Sequence, residues 1–297
     1  MRAFALFLAA IAATLIVAAA LAYPAYLFVH PLVPAWWFDK IGARLWEFVL
    51  LPLALVWIVR HLRLTTRRDW GYGAPRPRWL RQFGLGLVAG VATMLPVTVS
   101  MLALGLRVPP ADLALGTVGR ALLAGLLSGL AVGFIEETFF RGLMQGAVIH
   151  DLRRPLLAIV LVAALFAALH FLGSVRIPHE AVRMDSGLVL LAAAVRNFAT
   201  PSLIIDRFLS LFAVGVLLGL ATRWTGSIAA AVGLHAGWVW IMRATVGATR
   251  LEGDAPLAWL VSRDDGYTGW LVLAWTVVLT LLAFALRGRL RAWRRLE

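Results

Sequence analysis

The sequence predicts an all-α, polytopic transmembrane helical bundle of about eight spans with both termini cytoplasmic. Three observations carry that expectation. Hydrophobic residues make up 62% of the chain and mean hydropathy is +0.86, far from soluble usage. The apolar residues fall into runs of about 20, the length that crosses a bilayer as a helix. Arginine gathers in every second connection between those runs, as expected when these connections share the cytoplasmic side. No composition shift marks a soluble region, so 1–297 reads as a single integral membrane domain.

Taken in order, the first run covers roughly 3 to 23 and follows Arg2. It ends in small residues near Ala18 to Ala20, as a secretory signal does, yet from Ala3 to Ala22 it exceeds the usual signal core, which favours a retained span. The second run, roughly 43 to 60, opens into a connection crowded with Arg60, Arg63, Arg67, Arg68, Arg76, Arg78 and Arg81. A third run covers roughly 82 to 106 and a fourth roughly 120 to 147, the latter followed by Arg153 and Arg154. The fifth covers roughly 155 to 172, and the stretch from Gly187 to Val195 after it is too short to span and is expected to lie in the interface or re-enter. The sixth, roughly 207 to 222, ends at Arg223; the seventh and eighth cover roughly 226 to 246 and 269 to 287. Arg287, Arg289, Arg291, Arg294 and Arg295 close the chain. One side then holds 16 of the 28 basic residues against 11 on the other, where Asp112, Glu180, Asp185, Glu252, Asp254, Asp264 and Asp265 also lie, and this bias sets the orientation.

Composition also excludes function classes. With no cysteine there is no disulfide, thiolate metal site or cysteine nucleophile, so a metal would need His and carboxylate ligands. The net charge of +13 is spread over loops without aromatic interleaving, which fits orientation among membrane lipids and not a nucleic-acid partner. Twenty-seven arginines against one lysine suggest a GC-rich bacterial genome, and hence the inner membrane.

Five ionisable residues interrupt the apolar runs: Glu136, Glu137, Arg141, His170 and His235. A charge at bilayer depth costs roughly 2.5 to 3.5 kcal/mol on insertion scales, so such residues face protein or a wet cavity and mark function. Adjacent helical residues diverge by about 100°, so Glu136 and Glu137 cannot share a task. Glu137 and Arg141, spaced i, i+4, suit a structural ion pair. That leaves Glu136 without a cationic partner on its helix, the setting of a general base or acid. The alternative is two carboxylates sharing Arg141 for packing alone. Phe166 lies one turn before His170 and is placed to buttress it; His235 lies beside Gly237, which leaves room for water or a substrate backbone. Counted from the cytoplasmic helix ends, Glu136 lies roughly 15 Å deep, His235 roughly 14 Å and His170 roughly 22 Å. His30, His61, His150 and His179 fall in loops or near helix ends, where solvation explains them. Gly125, Gly129, Gly133, Gly215 and Gly219 are expected to permit close helix packing.

These clusters resemble the motifs of the CPBP family of intramembrane proteases, which includes the CAAX prenyl endopeptidases and the Abi-type and bacteriocin-processing proteins. Glu136-Glu137-Thr138-Phe139-Phe140-Arg141 resembles EExxxR, Phe166 to His170 resembles FxxxH, and His235 stands where HxxxN or HxxxD begins. The likeness is specific over about 120 to 246. It implies peptide-bond hydrolysis within the membrane, on a membrane-associated or lipidated peptide, with Glu136 and His170 activating water, His235 stabilising the oxyanion, and Glu137 with Arg141 bracing the site. It leaves two mechanisms open: zinc held by Glu136, His170 and His235, or no metal and water activated by carboxylate and imidazole. One departure stands out, because the Asn or Asp of the third motif is Val239 here, with the indoles of Trp238 and Trp240 as neighbouring donors. A non-catalytic peptide-binding or immunity-type protein is the rival reading. A proton-coupled transporter is the second rival, and the absence of inverted repeats counts against it.

Overall fold

The computed structural model describes residues 1–173, 175–263 and 265–288. Arg289, Arg291, Arg294, Arg295 and Asp264, which entered the orientation argument, lie outside the described residues. With 75% helix and 1% strand the protein is all-α. The helices are α1 (Arg2–Val29), α2 (Phe38–His61), α3 (Arg76–Ala103), α4 (Leu115–Leu152), α5 (Pro155–Leu169), α6 (Ser186–Arg196), α7 (Ile205–Thr225), α8 (Ala229–Ala248) and α9 (Trp270–Ala285). Each of the eight apolar runs holds one helix, and α6 is the short stretch that follows the fifth. Among the described residues, α1, α2, α3, α4 and α7 are long and apolar enough to cross a membrane.

Contacts divide the chain into two compact units. The first holds Met1–Thr65, His150–Leu152 and Ala168–Ile205. Its core is Ala22, Tyr26, Phe38, Ile41 and Ile177, with α1 and α2 side by side. Trp46 Nε1 donates to Thr14 Oγ1 at 3.0 Å, tying the middle of the two helices together. The His30 ring stacks on Tyr26 at 4.8 Å and on His179 at 4.3 Å, while the Tyr26 hydroxyl bonds His179 Nδ1 at 2.9 Å. Solvation therefore does not describe His30 and His179: an aromatic column holds them, because a flat imidazole stacks as well as it hydrates.

The second unit holds Thr66–Ile149, Arg153–Ala167 and the chain from Asp206 onward. At its centre α8 lies between α3 and α4, and small residues set that closeness. In α4, Gly125, Gly129 and Gly133 recur every fourth residue and so share one face. A methyl group at Gly129 would sit 2.4 Å from Ala236 O, and one at Gly90 of α3 2.4 Å from Leu234 O. Backbones meet here directly, as membrane helices do without a hydrophobic drive between them. Gly237 serves this contact too: a methyl there would be 2.7 Å from Leu87 O, so the space expected for water is filled by the backbone of α3.

Opposite ends of this unit are tied by polar groups. Gln82 Nε2 donates to Thr225 O at 3.2 Å and the Gly71 carbonyl accepts from Ile228 N at 3.2 Å, bracing the α7–α8 connection. Beyond the other end of α8, Arg107–Val108 pairs antiparallel with Arg250–Leu251. There Arg107 donates to Gly266 O at 2.6 Å and Tyr267, fully buried, bonds Thr98 Oγ1 at 2.8 Å. Burial pushes the Tyr267 phenol up to about 12, against smaller opposing effects of Thr98 and Arg107. The folded protein keeps this phenol neutral where an unfolded chain would ionise it near pH 10, so stability present below that pH is lost as pH rises towards 12. Thermal unfolding is expected to show a loss of roughly 2 to 3 kcal/mol across that window, and Tyr267→Phe should flatten it.

Candidate functional site

The site is built where α4 changes its winding. Regular α-helix runs from Leu115 to Glu137, and Thr138–Met144 is a π-helical segment before α-helix resumes at Gln145. Such wide turns inside long helices often occur at functional positions, since they re-aim side chains. Glu136 and Glu137 close the regular part and Arg141 lies inside the wide turn. Trp70 O packs over Gly142, where a methyl group would be 2.4 Å away, and Tyr72 OH bonds Thr138 Oγ1 at 2.7 Å. The connection before α3 therefore covers this part of the helix.

Glu137 is wholly buried and its Oε1 accepts two bonds, from Arg141 Nη1 at 2.9 Å and with His235 Nδ1 at 2.8 Å. With Glu137 ionised, Nδ1 of His235 is the donor, and a neutral ring carries its lone pair on Nε2. Arg141 also donates from Nη2 to Gly215 O at 3.3 Å, and its guanidinium lies 4.5 Å above the Phe166 ring. Phe166 is nearly perpendicular to Phe140 at 5.2 Å and to His235 at 6.2 Å. The expected pairing of Glu137 with Arg141 is present, but the carboxylate has a second partner that helical spacing alone did not give. The Phe166 ring thus also meets Arg141, Phe140 and His235.

Glu136 is half-buried, and its Oε2 is enclosed without a hydrogen-bond partner. Glu137 Oε2 and Arg141 Nε are likewise enclosed and unpaired. An unpaired buried carboxylate oxygen is unusual and marks a place where chemistry or a ligand supplies the partner. His170 belongs to the first unit, as the first residue after α5, with an exposed side chain.

Val239 is packed at 8% exposure, and the two donors beside it are engaged elsewhere. Trp238 Nε1 donates to Thr93 Oγ1 at 2.9 Å and Trp240 Nε1 to Leu122 O at 2.9 Å. Neither indole replaces the missing amide.

For zinc, the second unit supplies Glu136 and the Nε2 of His235, since Nδ1 already faces Glu137. That is short of the three protein ligands a catalytic zinc takes, and among the described residues no group of three His, Asp or Glu is gathered to hold a metal. No step is routed through one.

Sequence reasoning placed each residue of this cluster on its helix and missed the bond between Glu137 and His235. The available signal was depth, since Glu136 and His235 fall within about 1 Å of one another along their helices. Residues 118–241 match the family model described as type II CAAX prenyl endopeptidase Rce1-like. No curated protein and no solved structure matches the chain.

Proposed function

From the match of residues 118–241 to the type II CAAX prenyl endopeptidase Rce1-like family model, we propose that this protein is an intramembrane endopeptidase that hydrolyses a peptide bond of a membrane-associated or lipidated peptide through a water activated by carboxylate and imidazole. The observation that carries the reading is the contrast between neighbouring carboxylates: Glu137 bound to both Arg141 and His235, and Glu136 with an enclosed oxygen left over. Glu136 removes a proton from water as its oxygen attacks the scissile carbonyl carbon, and His170 keeps the water-activating part that the resemblance implies. The same proton then passes to the amide nitrogen as the C–N bond breaks. His235, held through Nδ1 by Glu137, presents Nε2 to the oxyanion and donates to it when that nitrogen carries a proton. Arg141 holds Glu137 in place through Nη1. The apolar composition supports an integral membrane location, and the preference for arginine over lysine supports a bacterial inner membrane.

Purified full-length protein in lipid vesicles, given a library of membrane-tethered reporter peptides, tests the reading. Wild type should cleave a subset, Glu136→Gln and His170→Ala should cleave it at a small residual rate, and equal cleavage by all three would remove the proposal. Activity should survive exhaustive chelation; its loss, with recovery on adding zinc, would replace the metal-free route by zinc held on Glu136, His170 and His235.

Val239 favours a second reading, a non-catalytic peptide-binding or immunity-type protein, because the third-motif donor is absent and both neighbouring indoles are engaged. One oxyanion donor is worth about 100 to 1,000-fold in rate. Val239→Asn is therefore expected to raise kcat. An unchanged rate in an active wild type would mean that another group already fills the role.

A further inference from the structure

The chain contains one asparagine, Asn197, and it lies just beyond α6 instead of on α8. Its Nδ2 donates to Phe171 O at 3.1 Å, the carbonyl of the residue directly after His170. Phe171 lies past the helix end, in a turn, so its carbonyl has no helical donor and the side-chain amide satisfies it. Two backbone bonds secure the same turn: Phe171 N donates to Ala168 O at 3.0 Å and Gly173 N to Ala194 O at 3.1 Å. Phe171 itself is 2% exposed. A methyl group at Gly173 would lie 2.6 Å from Ala193 O and 3.2 Å from Asn197 Nδ2, so glycine is what lets α6 approach this closely. The other end of α6 is seated against α1, where a methyl at Gly187 would be 1.8 Å from Ala19 O. All these groups belong to the first unit, and α6 exposes Leu188, Val189 and Val195 on its outer side.

We infer that Asn197 is a positioning residue: by clamping the backbone at Phe171 it sets the direction in which His170 leaves the end of α5. The inference rests on the role proposed for His170. A catalytic group displaced by about 1 Å can lose about 100-fold in rate, because the reacting geometry must be held before the barrier is crossed. α6 is thus the support of the His170 turn, and Asn197 is the point where that support meets it.

A double-mutant cycle of Asn197→Ala and His170→Ala, with the full chain in vesicles and a cleaved reporter, tests this. Asn197→Ala is expected to lower kcat by about 10 to 100-fold with KM within about twofold, and to cause no further loss in the His170→Ala background. Asn197→Asp, equal in size and lacking the donor, should repeat the loss. Wild-type kcat in both Asn197 variants beside a slowed His170→Ala would overturn the inference, and so would an equal fold-loss from Asn197→Ala in both backgrounds, which would signify general packing. Full activity of His170→Ala would instead remove the proposed function itself.

Discussion

Glu136→Gln is expected to lower the rate of reporter cleavage by about 100 to 10,000-fold while leaving thermal unfolding within a few degrees of wild type, the range that a general base contributes. The two halves of this expectation have one cause. Glu136 has an enclosed Oε2 with no partner, so an amide in its place breaks no hydrogen bond at that atom. The amide has nearly the same shape and cannot take a proton from water. Rate and stability measured on the same preparation check it: a Glu136→Gln protein that is active, or inactive only because it is unfolded, would contradict the assignment.

Glu137→Ala is expected to act in the opposite proportion. It should destabilise the protein by about 3 to 5 kcal/mol, the cost of removing one partner of a buried ion pair, and abolish cleavage as well. Arg141 would keep Gly215 O and the Phe166 and Phe140 rings but lose its ionic partner, and His235 Nδ1 would lose its acceptor. Chemical denaturation in detergent measures the first effect. The double replacement Glu137→Leu with Arg141→Leu separates the two effects, since apolar residues of similar volume can substitute for a buried pair without loss of stability. Most of the stability should return and the activity should not, because His235 remains unoriented. If activity returned with stability, Glu137 would be a packing residue alone.

The position of each helix was legible because hydropathy is local. All eight apolar runs contain helix, and the stretch at Gly187 forms a short helix, Ser186–Arg196, as its length requires. Arg141 on Glu137 was legible for the same reason, since residues four apart meet on any helix turn. The π-helical stretch at Thr138–Met144 was not, because nothing in its composition departs from an ordinary helix. Two readings of single residues failed on tertiary grounds: Gly237 faces the backbone of α3 instead of water, and the indoles of Trp238 and Trp240 serve Thr93 and Leu122.

What the sequence by itself determined is an all-helical membrane protein whose few buried charges belong to three helices, because apolar length and the scarcity of charge within it follow from composition and spacing. What only the tertiary structure decided is which charges meet. Glu137 and His235 are 98 positions apart, and their bond depends on α4 and α8 approaching backbone to backbone through glycines spaced four residues apart. A side chain's own helix sets the face it occupies, and its partner is set by whatever the neighbouring helix brings to the same depth.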